Sequence, residues 1–241
     1  MLAIEGLTQR FGGLEALAGI DYAVGGEGVF GLIGPNGSGK TTLFNVITGL
    51  YRPSAGRVVF MGEDISRRAP HQIIAKGIAR TFQTPRIYAR MTVRENLAAA
   101  QHTLSRGARS AEDGPSIDAL LEATGLADRR DELAKSLPLP EQRRLELARA
   151  LARAPKLLLL DEPAGGMTPK ETQAMAQLIE EVAAPGRACV IIEHKMDMIA
   201  RLCANVCVLN FGSKIAEGPP EAVLKDPAVL EAYIGRDAGA A

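Results

Sequence analysis

Eight residues, Gly34-Pro35-Asn36-Gly37-Ser38-Gly39-Lys40-Thr41, are spaced G-x-x-x-x-G-K-[ST]. That spacing suits the wrapping of a polyphosphate. Glycines let the backbone turn tightly, so that successive N–H groups point inward around phosphate oxygens. A helix opening at the end of such a loop adds unpaired N–H groups and the positive end of its dipole. The Lys40 ammonium reaches the outer phosphates as a point charge, and the Thr41 hydroxyl is a ligand for Mg²⁺. Asp161-Glu162 forms a second constellation. A carboxylate at the end of a buried strand can hold the magnesium shell, the expected job of Asp161. Glu162, next along, can polarise an attacking water. The bland alternative is an exposed acidic pair at a helix start, stabilised by the dipole.

Both constellations need rigid elements behind them. Val29 to Ile33 is a short apolar run ending at the glycine-rich loop, and Thr41 to Leu50 reads as a helix after it. Leu157 to Leu160 and Ala188 to Ile192 are continuously apolar, as expected of parallel strands covered on both faces. Leu2 to Leu7 and Val58 to Phe60 read as shorter, more mixed strands of an antiparallel flank. From Thr92 to Arg153 there is no strand signal: residues 92–100, 116–126 and 141–153 are patterned as helices. The polar, Gly- and Pro-bearing stretch 103–115 reads as an exposed loop. The expected class is α/β with a helical insert.

The 241 residues allow one large domain or two closely packed lobes. Basic and acidic residues balance at 28 each, so net charge gives no sign of a nucleic-acid partner. With 46% hydrophobic residues, disorder, collagen and coiled coil are all poor readings. Three cysteines make no disulfide framework and fit a reducing compartment. Cys203 and Cys207 lack a matching pair for zinc and read as small core residues. The N-terminal residues do not read as a signal peptide, and no apolar run is long enough to span a bilayer. If the chain works at a membrane, something else must hold it there.

On these residues the sequence resembles the nucleotide-binding subunit of an ABC transporter, along nearly the whole chain. The resemblance is carried by Gly34 to Thr42, Thr81-Phe82-Gln83, Glu141 to Glu146, Leu158 to Pro163 and Ile192-Glu193-His194. It is most similar to branched-chain amino acid uptake ATPases, through Arg10-Phe11-Gly12-Gly13-Leu14, Arg80 to Arg86, Met91 to Leu97 and Ala232-Tyr233-Ile234-Gly235. The resemblance implies a P-loop NTPase (RecA-like) core with a mixed sheet, an antiparallel β flank and an inserted helical subdomain. Residues 1–241 would form one nucleotide-binding domain, with 1–90 and 154–241 as the α/β core and 91–153 as the insert.

ATP and Mg²⁺ are the implied ligands. Gly34, Pro35, Asn36, Gly37, Ser38, Gly39, Lys40, Thr41 and Thr42 would hold the phosphates. Thr41, Gln83 and Asp161 would hold the metal, and Lys40, Glu162 and His194 would serve hydrolysis, His194 as the switch histidine. Gln83 would also link the site to the membrane subunit. His71 and His102 have no such context and read as surface residues. Phe11 is the implied adenine-stacking aromatic, with Tyr22 as the other candidate; a core aromatic of the first strand is the competing reading of Phe11.

Two segments depart from the family. Its signature, usually Leu-Ser-Gly-Gly-Gln, is here Leu137-Pro138-Leu139-Pro140-Glu141-Gln142. Serine offers a hydroxyl and glycine an N–H to the phosphate bound by the opposite subunit; proline offers neither. Pro140 can still open a helix. Thr168 stands where an aspartate normally reaches across the dimer. The expectation is an ATPase that donates a poor signature, so that pairing with a different subunit gives one strong and one weak composite site.

The function implied is the energy subunit of an importer for branched-chain amino acids or a related small polar solute. Its partners would be a second ATPase subunit (identical or different), integral membrane permeases and, indirectly, a periplasmic solute-binding protein, with no nucleic acid. It would sit in the cytoplasm, on the inner face of the membrane through the permeases. An ATPase for lipid or lipopolysaccharide export is the nearest alternative; a non-transport regulatory ABC ATPase is a further one. Arg80 to Arg94, rich in arginine and apolar residues, suits either a contact surface or a solvated face.

Overall fold

A computed structural model describes residues 1–102 and 114–234. The continuous apolar runs become the middle of a six-stranded sheet. Its strands are β3 (Gly28–Ile33), β6 (Ile78–Arg80), β7 (Leu157–Asp161), β8 (Ala188–Ile192), β9 (Asn205–Asn210) and β10 (Ser213–Gly218), in the order β10-β9-β3-β8-β7-β6. From β9 to β6 neighbours pair in parallel, and β10 closes the edge antiparallel to β9. Every residue of β7 and β8 is buried. Alternation along them feeds two cores: Leu158, Leu160 and Ile191 face one, and Leu157, Leu159 and Val190 face the other.

The second core is closed by the antiparallel flank, β1 (Leu2–Phe11), β2 (Leu14–Val24), β4 (Ala55–Phe60) and β5 (Glu63–Asp64), in the order β2-β1-β4-β5. Leu2, Ile4, Leu7 and Ile20 of this flank pack with Leu43, Phe44 and Ile47 of α1 (Lys40–Ile47). β1 runs four residues further than its apolar pattern because register shifts interrupt the alternation between Ile4 and Arg10.

The remaining helices are α2 (Pro70–Ala75), α3 (Val93–His102), α4 (Ile117–Ala123), α5 (Leu139–Leu151), α6 (Pro169–Leu178), α7 (Met196–Leu202), α8 (Pro220–Val223) and α9 (Pro227–Ile234). Among the described residues between β6 and β7 there are helices and 3₁₀ turns but no strand, only a single bridge between Thr92 and Leu133. α4 stops at Ala123 because Thr124 caps it and Gly125 turns left-handed at φ 66°. α5 starts two residues before its apolar pattern, with Pro138 as its cap. The loop expected over 103–115 lies outside the described residues for 103–113, as do Gly235 and the side chain of His102.

Cys189, Cys203 and Cys207 are buried and unpaired, and burial pushes each thiol up to about 12, so none is a ready nucleophile. Among the described residues no helix is long and apolar enough to cross a membrane.

Candidate functional site

The glycine-rich loop leaves β3 and enters α1, and two of its glycines have no substitute. At Gly34 (φ 145°) a Cβ would sit 2.0 Å from the Leu209 carbonyl oxygen. At Gly39 (φ 107°) it would meet Ala16 O and Leu17 Cδ2 at 2.8 Å. The loop is tied to the β9–β10 turn by the Gly212 N–H, which donates to Ser38 O at 3.0 Å. Lys40 is buried, and its Nζ donates to Gly34 O at 2.6 Å and Pro35 O at 2.9 Å, so the ammonium lies within the curve of the loop. The buried Ser38 hydroxyl has no hydrogen-bond partner in the protein.

This loop forms one wall of a cavity of 600 Å³. The exposed apolar residues Phe11, Leu14 and Phe211 line it, as do the polar Gln83, Glu162 and His194. Phe11 is 42% exposed and packs edge-on against Tyr51, so it is not a core aromatic. Tyr22 is buried in the flank core and does not line the cavity.

Strand order brings the polar residues together. β7 lies between β6 and β8, so the segments leaving all three strands meet at one sheet end. Glu162 follows β7 in the left-handed region at φ 49°, with its N–H donating to Ile192 O at 2.9 Å. Gln83 Nε2 donates to Glu162 Oε2 at 3.0 Å, and His194 Nε2 lies 3.1 Å from Glu162 Oε1. Both carboxylate oxygens are thus engaged, one by each neighbour.

The residues flanking His194 latch its segment to the one after Glu162; Glu193 stood in the motif that carries the family likeness without a role, and nothing in the sequence pattern pointed to Lys195. Glu193 is buried and accepts the Ala164 N–H at 2.9 Å. Lys195 Nζ donates to the carbonyls of Ala164 and Met167, both at 3.0 Å, and to the Thr172 hydroxyl.

Asp161 is held differently. Its Oδ2 accepts from Arg80 Nη2 at 2.7 Å, and both side chains are nearly fully buried. Arg80 also donates to Asn45 Oδ1 at 2.6 Å, with its guanidinium over the rings of Phe44 and Phe82. Arg80 therefore belongs to the interior behind the site, not to a contact surface over residues 80–94. Arg80→Met is expected to leave a buried carboxylate unpaired, at a cost of about 3–5 kcal/mol. Urea unfolding followed by circular dichroism checks this; an unchanged midpoint would count against the pair.

Residues 137–142 do not line the cavity of their own chain. Pro138 O accepts the N–H groups of Glu141 and Gln142, each at 3.0 Å, and Gln142 Nε2 donates to Leu137 O at 2.8 Å. Leu139 is 39% exposed, and Pro140 has no N–H to give. Thr168 caps α6: its N–H and hydroxyl both donate to Glu171 Oε2 at 2.8 Å.

Comparison with known proteins gives the family. Residues 17–165 match the ABC transporter family model, and residues 213–239 match one described as branched-chain amino acid ATP-binding cassette transporter. The chain is 38% identical to the high-affinity branched-chain amino acid transport ATP-binding protein BraF of Pseudomonas aeruginosa, with 98% of each covered. It is 36% identical to LivG of Escherichia coli K12, a protein of the same description, over 98% of each. The lipopolysaccharide export system ATP-binding protein LptB of Haemophilus influenzae is 33% identical, over 98% of this chain and 97% of LptB. The ADP conformation of an ATP-binding cassette from an ABC transporter superposes with a TM-score of 0.85 at 34% identity, covering 98% of each chain. A parallel β3 feeding a glycine-rich loop, the antiparallel flank and end-to-end likeness to these ATPases lead to one conclusion: this chain belongs to the ATP-binding subunits of ABC transporters, in the branched-chain amino acid transporter family, and is an ATPase.

Proposed function

We propose that the chain powers an importer for branched-chain amino acids or a related small polar solute. It acts on the cytoplasmic face of the membrane, with a second ATPase subunit, permeases and, beyond them, a periplasmic binding protein. The carrying observation is the meeting of Gln83, Glu162 and His194 in the same cavity that the Lys40 loop lines. Higher identity to BraF and LivG, and the branched-chain amino acid cassette model matched at residues 213–239, favour import of such solutes over the export reading that LptB offers. Ligand analysis of the binding protein that co-purifies with this chain tests the substrate; a lipid-export complex in its place would overturn the import reading.

In this reading the loop from Gly34 to Thr42 wraps the ATP phosphates, Lys40 neutralises the outer two, and Phe11 stacks on adenine. Mg²⁺ suits the donor set. Among the described residues no three His, Cys, Asp or Glu cluster as a metal site, and Mg²⁺ needs only one or two carboxylates when phosphates, water and neutral oxygens supply the rest. Thr41, Gln83 and Asp161 would hold it, and the ion, when bound, neutralises charge between the β and γ phosphates. Glu162 takes a proton from the attacking water, while Gln83 and His194 fix the direction of its carboxylate. The helices within 91–153 form a subdomain that, with the Gln83 region, passes motion to the permeases.

The segment Leu137 to Gln142 faces the nucleotide of the opposite subunit. With Pro138 and Pro140 in it, and the Thr168 hydroxyl spent on a helix cap, a homodimer has two weakened sites. Each missing donor costs about 2–4 kcal/mol in the transition state. Turnover by the chain alone is therefore expected to be slow and to rise when a partner ATPase with an intact signature is added. Equal, fast steady-state hydrolysis without the partner would remove the asymmetry.

A further inference from the structure

One face of α5 holds the backbone at both ends of the loop that carries Gln83. Glu146 is buried, and its Oε1 accepts two N–H groups: that of Phe82 at 3.2 Å and that of Arg86 at 2.9 Å. Arg143, one turn earlier, donates from Nη1 to Phe82 O at 3.5 Å. Arg149, one turn later, donates to the carbonyl oxygen of Arg86. Residues spaced three apart on a helix share a face. The N–H and the C=O on each side of Gln83-Thr84-Pro85 are thus all held by a single stripe. Arg143 extends the same grip, donating from Nη2 to Gly165 O at 3.1 Å in the segment after Glu162.

Packing alone does not call for these groups. Apolar residues would fill the same space without the several kcal/mol that each buried charge costs. Burial raises the Glu146 carboxyl above its usual range, opposed by the two N–H groups it accepts. A costly polar stripe hydrogen-bonded to main-chain groups fixes a loop at one distance and one angle, which apolar contacts cannot do. Gln83 lies inside that loop and touches Glu162.

We infer that Arg143, Glu146 and Arg149 are positioning residues that set Gln83 against Glu162, with Glu146 central and acting as a hydrogen-bond acceptor. The inference rests on the reading that Gln83 and Glu162 serve hydrolysis.

The test uses the purified full-length chain carrying Glu146→Gln or Glu146→Leu, each with and without Gln83→Ala. The readouts are kcat, KM for ATP and the thermal midpoint. Glutamine keeps an oxygen that accepts both N–H groups, so Glu146→Gln is expected to hold kcat within about threefold of the parent. Leucine keeps the bulk and loses the acceptor, so kcat is expected to fall roughly tenfold or more with KM little changed. In the Gln83→Ala background the leucine substitution is expected to add nothing, because both changes act through one side chain. The clamp is overturned if Glu146→Leu leaves kcat intact, if it costs the same factor in both backgrounds, or if Glu146→Gln is as defective as Glu146→Leu. Should the leucine variant fail to fold, Arg149→Gln removes one tie and must show the same kcat loss, absent in Gln83→Ala. If Gln83→Ala alone leaves kcat unchanged, the hydrolytic role of Gln83 falls, and the clamp with it. That outcome is distinct from an active Glu146→Leu beside a defective Gln83→Ala, which overturns the clamp only.

Discussion

Lys40→Ala is expected to abolish tight ATP binding while the fold survives. The ammonium lies inside the loop, donating to Gly34 O and Pro35 O, on the wall of the cavity. Those two carbonyls hold a cation in the concavity where polyphosphate would lie. When phosphate oxygens arrive, the same donors can turn to them, and hydrogen bonds between charged groups are roughly twice as strong as neutral ones. Losing this charge costs about 1.5–3 kcal/mol for each bond it makes, so affinity is expected to drop roughly a hundredfold or more. The fold depends on it far less. The loop shape comes from Gly34 and Gly39, from Ser38 N–H donating to Pro35 O at 3.2 Å, and from the tie to Gly212. Water entering the cavity can take the place of Nζ on the two carbonyls. Isothermal titration with Mg-ATP, beside a thermal melt, checks both halves; parent-like affinity would leave residues 34–41 without a polyphosphate to wrap.

That loop was readable because its chemistry is local: eight consecutive residues between an apolar run and a helix. The buried strands β7 and β8 were readable for the same reason. What joins the site was not. Gln83 and Glu162 are separated by 79 positions, and Glu162 and His194 by 32. Their contact follows from β6, β7 and β8 standing side by side, and spatial strand order is not written in any single run of residues. Only likeness to a family brought the three together in advance, and it gave their roles without their mutual bonds. Arg80 departs from the contact surface or solvated face expected of residues 80–94 because its carboxylate partner is 81 positions away, a pairing no local run of residues signals. The latching role of Glu193, and Lys195 altogether, were not legible because each hydrogen-bonds a loop from a different part of the chain, which no periodicity signals. β1 was cut short because its register shifts break the alternation by which a strand is recognised.

Glu162→Gln is expected to retain ATP binding and nearly stop turnover. Glutamine has the size and shape of glutamate and keeps one oxygen to accept from Gln83 Nε2. Its amide N–H groups can face a His194 ring nitrogen that acts as acceptor, so the arrangement around residue 162 persists. What disappears is the group that takes the proton from water, a loss of about 10²–10⁴ in rate for a positioned general base. With binding kept and hydrolysis slowed, subunits closed by ATP have no route to reopen except nucleotide release, so dimers formed with a partner ATPase accumulate. Size-exclusion chromatography with Mg-ATP reads this, next to phosphate release. The same variant separates two explanations of slow turnover. If Pro138 and Pro140 deprive the opposite site of its donors, Glu162→Gln alone forms few ATP-held dimers and forms many once a partner ATPase is added. If the segment Leu137 to Gln142 serves as well as an intact signature, the variant dimerises fully by itself. Unchanged phosphate release would exclude Glu162 as the base and leave the left-handed turn at that residue, with both carboxylate oxygens engaged, without a catalytic purpose.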